Sequence, residues 1–465
     1  MLINTKYTEL IKAKDSYLGP DVKTVPIPAP VGGLDAVSPL ANMQPHFAPI
    51  LTNWTPRPGW VELRGGYSVW CQGLSTGAVE TLMAYKPANA AEKLFAAANN
   101  QIWDVTSYGS PFVSLSSLAN NRWQYANFTP SGSSSYLICA NGSDSVREYD
   151  GTTWSTPTIT GVTSSTLITV NSHQRRLWFI QANSTTVWYL GTGSISGAAT
   201  ALEIGPLLTK GGYLLAMGSW TVDGGNGPNN LAVFMSSRGQ AVIYQGTDPT
   251  SSTTWSLVGV FNLPTPIPSR RCITQIGSDL GILTLDGLIP LSKALPFNPS
   301  GVRSSAFTQK IQNAMLQAAQ NGYNEFGWQT ILFPLESLMI VNFPVTEGVT
   351  QQQFVMNGIS GSWAMWSGWN ANCFEILDNS LYFGDNAGNV CLAYTGGLDS
   401  VTPITADMQC AFNFFEQPGR IKTMSMVRPF ITADGTLTPT IAVDVDFATA
   451  DVTAAVQTLT PTGGL

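Results

Sequence analysis

Apolar residues along this chain come in short runs, mostly four to seven long, bounded by Asn, Gly, Asp and Ser. The runs are rich in β-branched, aromatic and Leu residues, which is the signature of strands rather than helices. They also recur in groups. "ETLMAYK", "KLFAAAN" and "QIWDV" form the first group, and "WQYANF", "YLICAN", "SVREYDG" and "TTW" the second. The third is "TLITV", "RRLWFIQAN" and "TTVWYLG", and the fourth "YLLAMGSW", "NLAVFMSS", "QAVIYQG" and "STTW". "CITQIGS", "LGILTLDG" and "LIPLSKA" make the fifth. "WQTILFPL", "LMIVNFP", "QQFVMNG" and "GSWAMW" make the sixth, and "ANCFEILD", "SLYFGDNAG" and "NVCLAYTG" the seventh. Their central strands begin at Leu94, Leu137, Leu177, Leu231, Ile282, Leu338 and Leu381, spaced 40 to 56 residues apart. Propeller blades repeat at roughly 40–50 residues. A small antiparallel sheet cannot bury both faces alone, but a radial array packs each sheet against its neighbours. The expected fold is therefore all-β, a β-propeller of seven blades, with six as the alternative because the fifth unit lacks a clear fourth strand.

The seventh unit also lacks an outer strand. The strand-like stretch "GWVELRGGYSVW", residues 59–70, is expected to supply it and close the ring. "SRGQ", "DNAGN" and "NGSDS" carry tight-turn chemistry. One helix is expected, in "FTQKIQNAMLQAAQNG", with Ile311, Ala314, Met315 and Ala318 on one stripe and Gly322 as its stop, packed between the fifth and sixth units. These elements divide the chain into a Pro-rich extended arm (1–58), a propeller (59–400) and a small C-terminal β module (401–465), which breaks off in mid-pattern.

Composition changes the picture in one respect. Hydrophobic residues make up 44% of the 465, but charged residues only 11%, against about 25% in ordinary domains. So little charge suggests a surface covered by partners. The net charge of −7 argues against a protein that grips nucleic acid by its phosphates. The six cysteines form no C-x-x-C pair, and most sit in apolar runs; buried free thiols are expected. The N-terminus shows no signal-peptide pattern, and no run of about 18 apolar residues marks a membrane span. The glycosylation-type triplets at Asn53, Asn127, Asn141 and Asn183 read as chance.

Candidate chemistry is sparse. "SGSWAMWSGWNANCF" places Trp363, Trp366 and Trp369 within seven positions. Trp363 matches Trp154, Trp188 and Trp255, each after a polar turn, so it reads as a repeat position that packs blade against blade, where an aromatic buries about 150–250 Å². A flat three-ring platform is not expected. The two histidines, His46 in the arm and His173 in a polar turn, have no ligand-spaced partners for zinc. No P-loop, dinucleotide fingerprint or Gly-x-Ser-x-Gly elbow occurs. Sialidase propellers repeat Ser-x-Asp-x-Gly-x-Thr-Trp; here "REYDGTTW" occurs once, keeps Gly151, Thr153 and Trp154, and has Arg147 and Tyr149 at the Ser and Asp positions. Arg175 and Arg176 are adjacent and so lie on opposite faces of a strand. Asp444 and Asp446 share one face of an expected strand and are a weak Ca²⁺ candidate beside the reading as a solvated edge. No catalytic, cofactor-binding or metal-ligating residue is assigned, and the chain is not read as an enzyme.

The stretch from residue 30 to 67 resembles the opening of a family of tail nozzle, or DNA-stabilising tail accessory, proteins of short-tailed bacteriophages. Gly32, Gly33, Leu40, Met43, Ala48, Leu51, Asn53, Trp54, Val61, Arg64 and Gly66 carry the resemblance; Leu34 departs from it, standing where an aromatic is expected. "NGISGSWAMWSGWNANCFEILDNSLYFGDNAGNVCLA" and "AFNFFEQPGRIKTMSMVRPF" look like later segments of the same family, so the likeness spans about 28–430. It implies a non-enzymatic virion tail protein assembled in the host bacterial cytoplasm. The implied partners are further copies of itself in a homohexameric ring, portal and adaptor proteins above, tail fibres or spikes outside, and double-stranded DNA passing through the lumen without sequence recognition. A receptor-binding or glycan-cleaving propeller at the tail tip is the alternative; it requires a cleft lined by Trp366, Trp369 and carboxylates.

Overall fold

Seven strands stand side by side around one axis: Thr81–Tyr85, Gln124–Phe128, Leu167–His173, Leu214–Asp223, Ile273–Ile276, Gln329–Phe333 and Ala371–Leu377. Each touches the next, and the last returns to the first. Each is the innermost strand of a sheet, and the next two or three strands follow it outward antiparallel and in chain order. In this computed structural model the described residues are 24–130, 134–223, 228–295, 305–419, 421–424, 426–433, 438–447 and 455–456. The arrangement is an all-β propeller. Six sheets have four or more strands and the fifth has three, Ile273–Ile276, Asp279–Thr284 and Gly287–Pro290. All seven expected central strands form, from Lys93–Ala98 to Ser380–Asp385.

Closure uses part of the expected stretch. Tyr67–Cys71 pairs antiparallel with Val390–Ala393 as the outer strand of the seventh sheet, with Cys71 opposite Val390 and Tyr67 opposite Ala393. Trp60–Leu63 instead folds back on Trp54–Arg57 as a hairpin. The reason is local: Pro58 sets φ and Gly59 takes φ +96° in the two-residue turn.

The N-terminal segment lies along the sixth sheet. Gly33 pairs parallel with Trp363, and Thr52 with Met365, while Asp407–Gln409 adds antiparallel to Ile50–Thr52. Gly33 is obligatory here: φ is +85°, and a Cβ would stand 2.4 Å from the Trp363 carbonyl oxygen. Asp35 is buried and paired with Lys310 at 2.8 Å. Burial raises the Asp35 carboxyl, but Lys310 and the Ser38 and Val37 amides outweigh this and hold it below its usual range.

The helix Gln312–Gly322, preceded by a 3₁₀ turn over Gln309–Ile311, packs against Leu338–Thr346 and Gly287–Pro290. Ile311, Met315 and Ala319 are fully buried, so its stripe is turned slightly from the expected one, with Ala314 and Ala318 at its flank. Among the described residues beyond 409, the strands expected in 411–431 do not form, and Thr440–Ile441 pairs with Ala455–Val456. A segment with no sheet beside it has no ladder to join, and an isolated pair of strands is marginal.

Candidate functional site

The seven inner strands leave an axial channel with a waist. Tyr125 on the second inner strand and Glu375 on the seventh meet there, the phenol donating to the carboxylate. Burial pushes the carboxyl of Glu375 up, and burial together with that carboxylate pushes the Tyr125 hydroxyl well above its ordinary value. Toward the C-terminal ends of the strands a cavity of about 770 Å³ opens, lined by Lys86, Asn127, Ser172, Gln275 and Leu332. Toward the N-terminal ends lies a smaller one of about 280 Å³, lined by Thr81, Trp123, Arg270, Arg271 and Gln329.

That smaller end is crossed by arginines. Arg270 and Arg271 precede the fifth inner strand and reach the second and first sheets, the two farthest round the ring. Arg270 Nη1 donates to the carbonyl oxygens of Asn141 (2.7 Å) and Arg122 (3.3 Å). Arg271 Nη2 donates to the Glu80 carbonyl and Thr81 Oγ1, both at 3.1 Å, and its Nη1 donates to Gln329 Oε1 at 3.3 Å. Arg122 pairs with Glu80 (2.8 Å) and Glu347 (2.6 Å). The Phe326 ring stacks under the Arg122 guanidinium at 4.3 Å and faces Arg271 at 5.3 Å. Burial, with Arg122 and Arg271 close by, lowers the Arg270 pKa to about 10. Burial also lowers that of Arg271. Both guanidiniums stay charged at neutral pH.

None of these residues was singled out in the sequence. The only local signal is the doublet in "SRRC" ahead of a strand; its meaning depends on which sheets ring closure sets opposite.

The residues that were singled out are mostly core. Trp363, Trp366 and Trp369 are fully buried. The Trp363 and Trp366 indoles donate to the carbonyls of Phe307 and Trp54, and Trp369 stacks on Phe383 at 5.5 Å and meets Trp366 edge-on at 5.2 Å. Neither Trp366 nor Trp369 lines either of the two axial cavities. Trp154, Trp255 and Trp363 each open a fourth strand, but Trp188 lies in the third strand Thr186–Tyr189, so it is not the same repeat position. "DGTTW" is a turn: Asp150 Oδ1 accepts the Thr152 and Thr153 amides, both at 2.7 Å.

His173 is the last residue of its strand rather than a turn residue, because Gln174 and Arg175, with φ of 49° and 57°, make the turn by themselves. Its Nδ1 lies 2.9 Å from Ser219 Oγ, its ring sits between Trp178 and Trp255, and burial lowers its pKa to about 4. Among the described residues no carboxylate hydrogen-bonds to the His173 ring. His46 is half-buried against Phe47. Arg176 pairs with Asp248 at 3.0 Å. Asp444 and Asp446 do not share a strand: Asp444 accepts from Gln409 at 2.6 Å, and Asp446 sits in a turn at φ 55°. Among the described residues no group of three His, Cys, Asp or Glu side chains has metal-site geometry. The cysteines are free thiols, buried except for the half-exposed Cys410.

The fold thus defines the class, a propeller closed by its own N-terminal strand. No family model matches the chain, and no curated protein matches it. Among solved structures it is similar to the WD40 β-propeller domain of Doa1, with 10% identity, 71% of this chain and 97% of that one covered, and a TM-score of 0.43. It is also similar to Saccharomyces cerevisiae Sqt1, at 11% identity, 71% and 99% coverage and TM-score 0.41. The computationally designed Ika8 protein matches at 9% identity, 71% and 97% coverage and TM-score 0.36.

Proposed function

We propose that this chain is a structural component of a short bacteriophage tail, a ring-forming nozzle below the portal and adaptor that retains the genome and then passes it during ejection. One observation supports this above the rest: residues that carry the resemblance to tail nozzle proteins form the lock that closes the ring. Arg64 is fully buried, pairs with Asp399 at 2.6 Å, and donates to Asn53 Oδ1 (2.9 Å) and the Ser367 carbonyl (2.6 Å). Asn53 takes φ 61° and donates to Ser367 Oγ and the Thr405 carbonyl. Gly66 passes so near the Leu398 carbonyl that a Cβ would stand 1.8 Å from its oxygen. These are the residue types the architecture needs at those places, so the motif describes one particular way of closing a propeller.

On this reading the DNA runs through the lumen between subunits and not along the propeller axis, whose narrower end Arg270 and Arg271 cross. Copies of a chain at −7 place like charge near the phosphates and keep the genome from sticking. Flanks with little charge suit heterologous contacts, which close into a ring when the rotation allows. Six copies, portal and adaptor above, fibres or spikes outside, a virion location and no catalysis complete the proposal. Negative-stain imaging of the purified chain tests it. Closed rings, with no turnover of bacterial surface glycans, are expected. Lone propellers that cleave such a glycan would refute it.

A further inference from the structure

Two of the three arginines at the narrower end of the channel have no carboxylate in direct contact among the described residues. Arg122 has two carboxylate partners, Glu80 and Glu347. Arg270 and Arg271 bond only to carbonyl, hydroxyl and amide oxygens, with Glu375 and Glu80 acting on Arg271 only at longer range. A guanidinium cannot shed its charge, and a desolvated charge without a counter-charge is costly. Among the described residues, the hydrogen bonds of Arg270 all come from Nη1. Two further donors tell the same story. Thr330 Oγ1 and Trp123 Nε1, on residues that line this cavity and are respectively 5% and 0% exposed, have no protein partner. Buried donors are normally satisfied. The one carboxylate in the lining, Glu375, already accepts from Tyr125 and from the Ile376 amide.

The geometry points to a binding site for a small oxyanion in this cavity, held by Arg270 and Arg271, with Thr330 and Trp123 in its lining. A volume of about 280 Å³ admits a phosphate-sized ion with some of its water. A free inorganic anion and a carboxylate group offer the same acceptor chemistry, and the two are told apart by the probes below.

Isothermal titration of the full chain with inorganic phosphate, and separately with acetate, at roughly physiological ionic strength tests the site. Saturable binding of one ion per chain is expected. Arg270→Gln removes the charge but keeps a donor for the Asn141 carbonyl, and should weaken binding about ten- to a hundredfold. Lys210→Gln, at an exposed loop lysine, should leave it unchanged. Preference for phosphate marks a free tetrahedral anion, preference for acetate a carboxylate, and either supports the site. If Arg270→Gln does not fold, Arg271→Gln replaces it, expected to weaken binding by about tenfold. Failure of both ions to bind, or affinity unchanged in the folded variants, would overturn the proposal.

Discussion

The closed ring and the stretch from residue 412 to 447 treat apolar side chains in opposite ways. In the ring the apolar face of each sheet is buried against the next, in cluster after cluster. In the later stretch Ile421 is 101% exposed, Phe430 88% and Val445 64%. Apolar residues are plentiful in both, but those of the ring lie against a neighbouring sheet. The contrast shows which apolar side chains of a single copy are buried by a neighbouring sheet and which stay exposed.

The largest expected effect lies at the ring's seam. Arg64→Ala removes one partner of a buried pair and strands Asp399, so unfolding in urea should shift by about 3–5 kcal/mol. Arg64→Lys should recover little, since a point charge cannot bond to Asp399, Asn53 and the Ser367 carbonyl together. A shift below about 1 kcal/mol would show that the seam is not what holds the ring.

Next comes a pH effect from within the ring. The His173 imidazole is kept neutral down to about 4 by burial, whereas in an unfolded chain it titrates near 6.5. Between those values the unfolded chain takes up a proton that the folded chain does not. Stability therefore falls as pH drops from about 6.5 to about 4, by up to about 3 kcal/mol, and this contribution levels off below. Denaturation midpoints across that window should be flatter in His173→Gln. The Asp35 and Asp150 carboxyls, held below their usual range, act lower, as pH falls through and below about 4.

A smaller effect belongs to the turns. Asp150→Ala loses two amide partners at an exposed turn and should cost about 1 kcal/mol in thermal unfolding. The smallest belongs to the other region: Phe430→Asp should leave propeller unfolding unchanged within about 0.5 kcal/mol. A larger loss there would mean that the stretch is part of the ring's core, and the comparison would fail.

What could be read in advance follows from the same contrast. Leu94 through Leu381 announce seven central strands because a blade is a local object, made by short turns between neighbouring runs. The missing fourth strand of the fifth sheet was legible for that reason, and the closing strand near residue 67 was legible only because the seventh unit lacked an outer strand and a strand-like stretch stood unassigned before the first unit. Pairings across the ring were not. Arg271 reaches Thr81 over 190 residues, and no periodicity within either segment encodes that meeting. The shift of Trp188 to a third strand arises because the third sheet's outer strand is Thr200–Glu203, beyond the loop that follows it. The strand expected around Asp444 and Asp446 had the right residue types but no sheet to join.

The central claim is that copies of this chain seal one another's flanks in a ring. Native mass measurement of the purified protein over a range of concentrations tests this most directly. The account predicts a discrete closed oligomer, with six copies as the expected mass, that persists on dilution. A single 49.8 kDa species at high concentration, alone and with portal and adaptor proteins present, would contradict it.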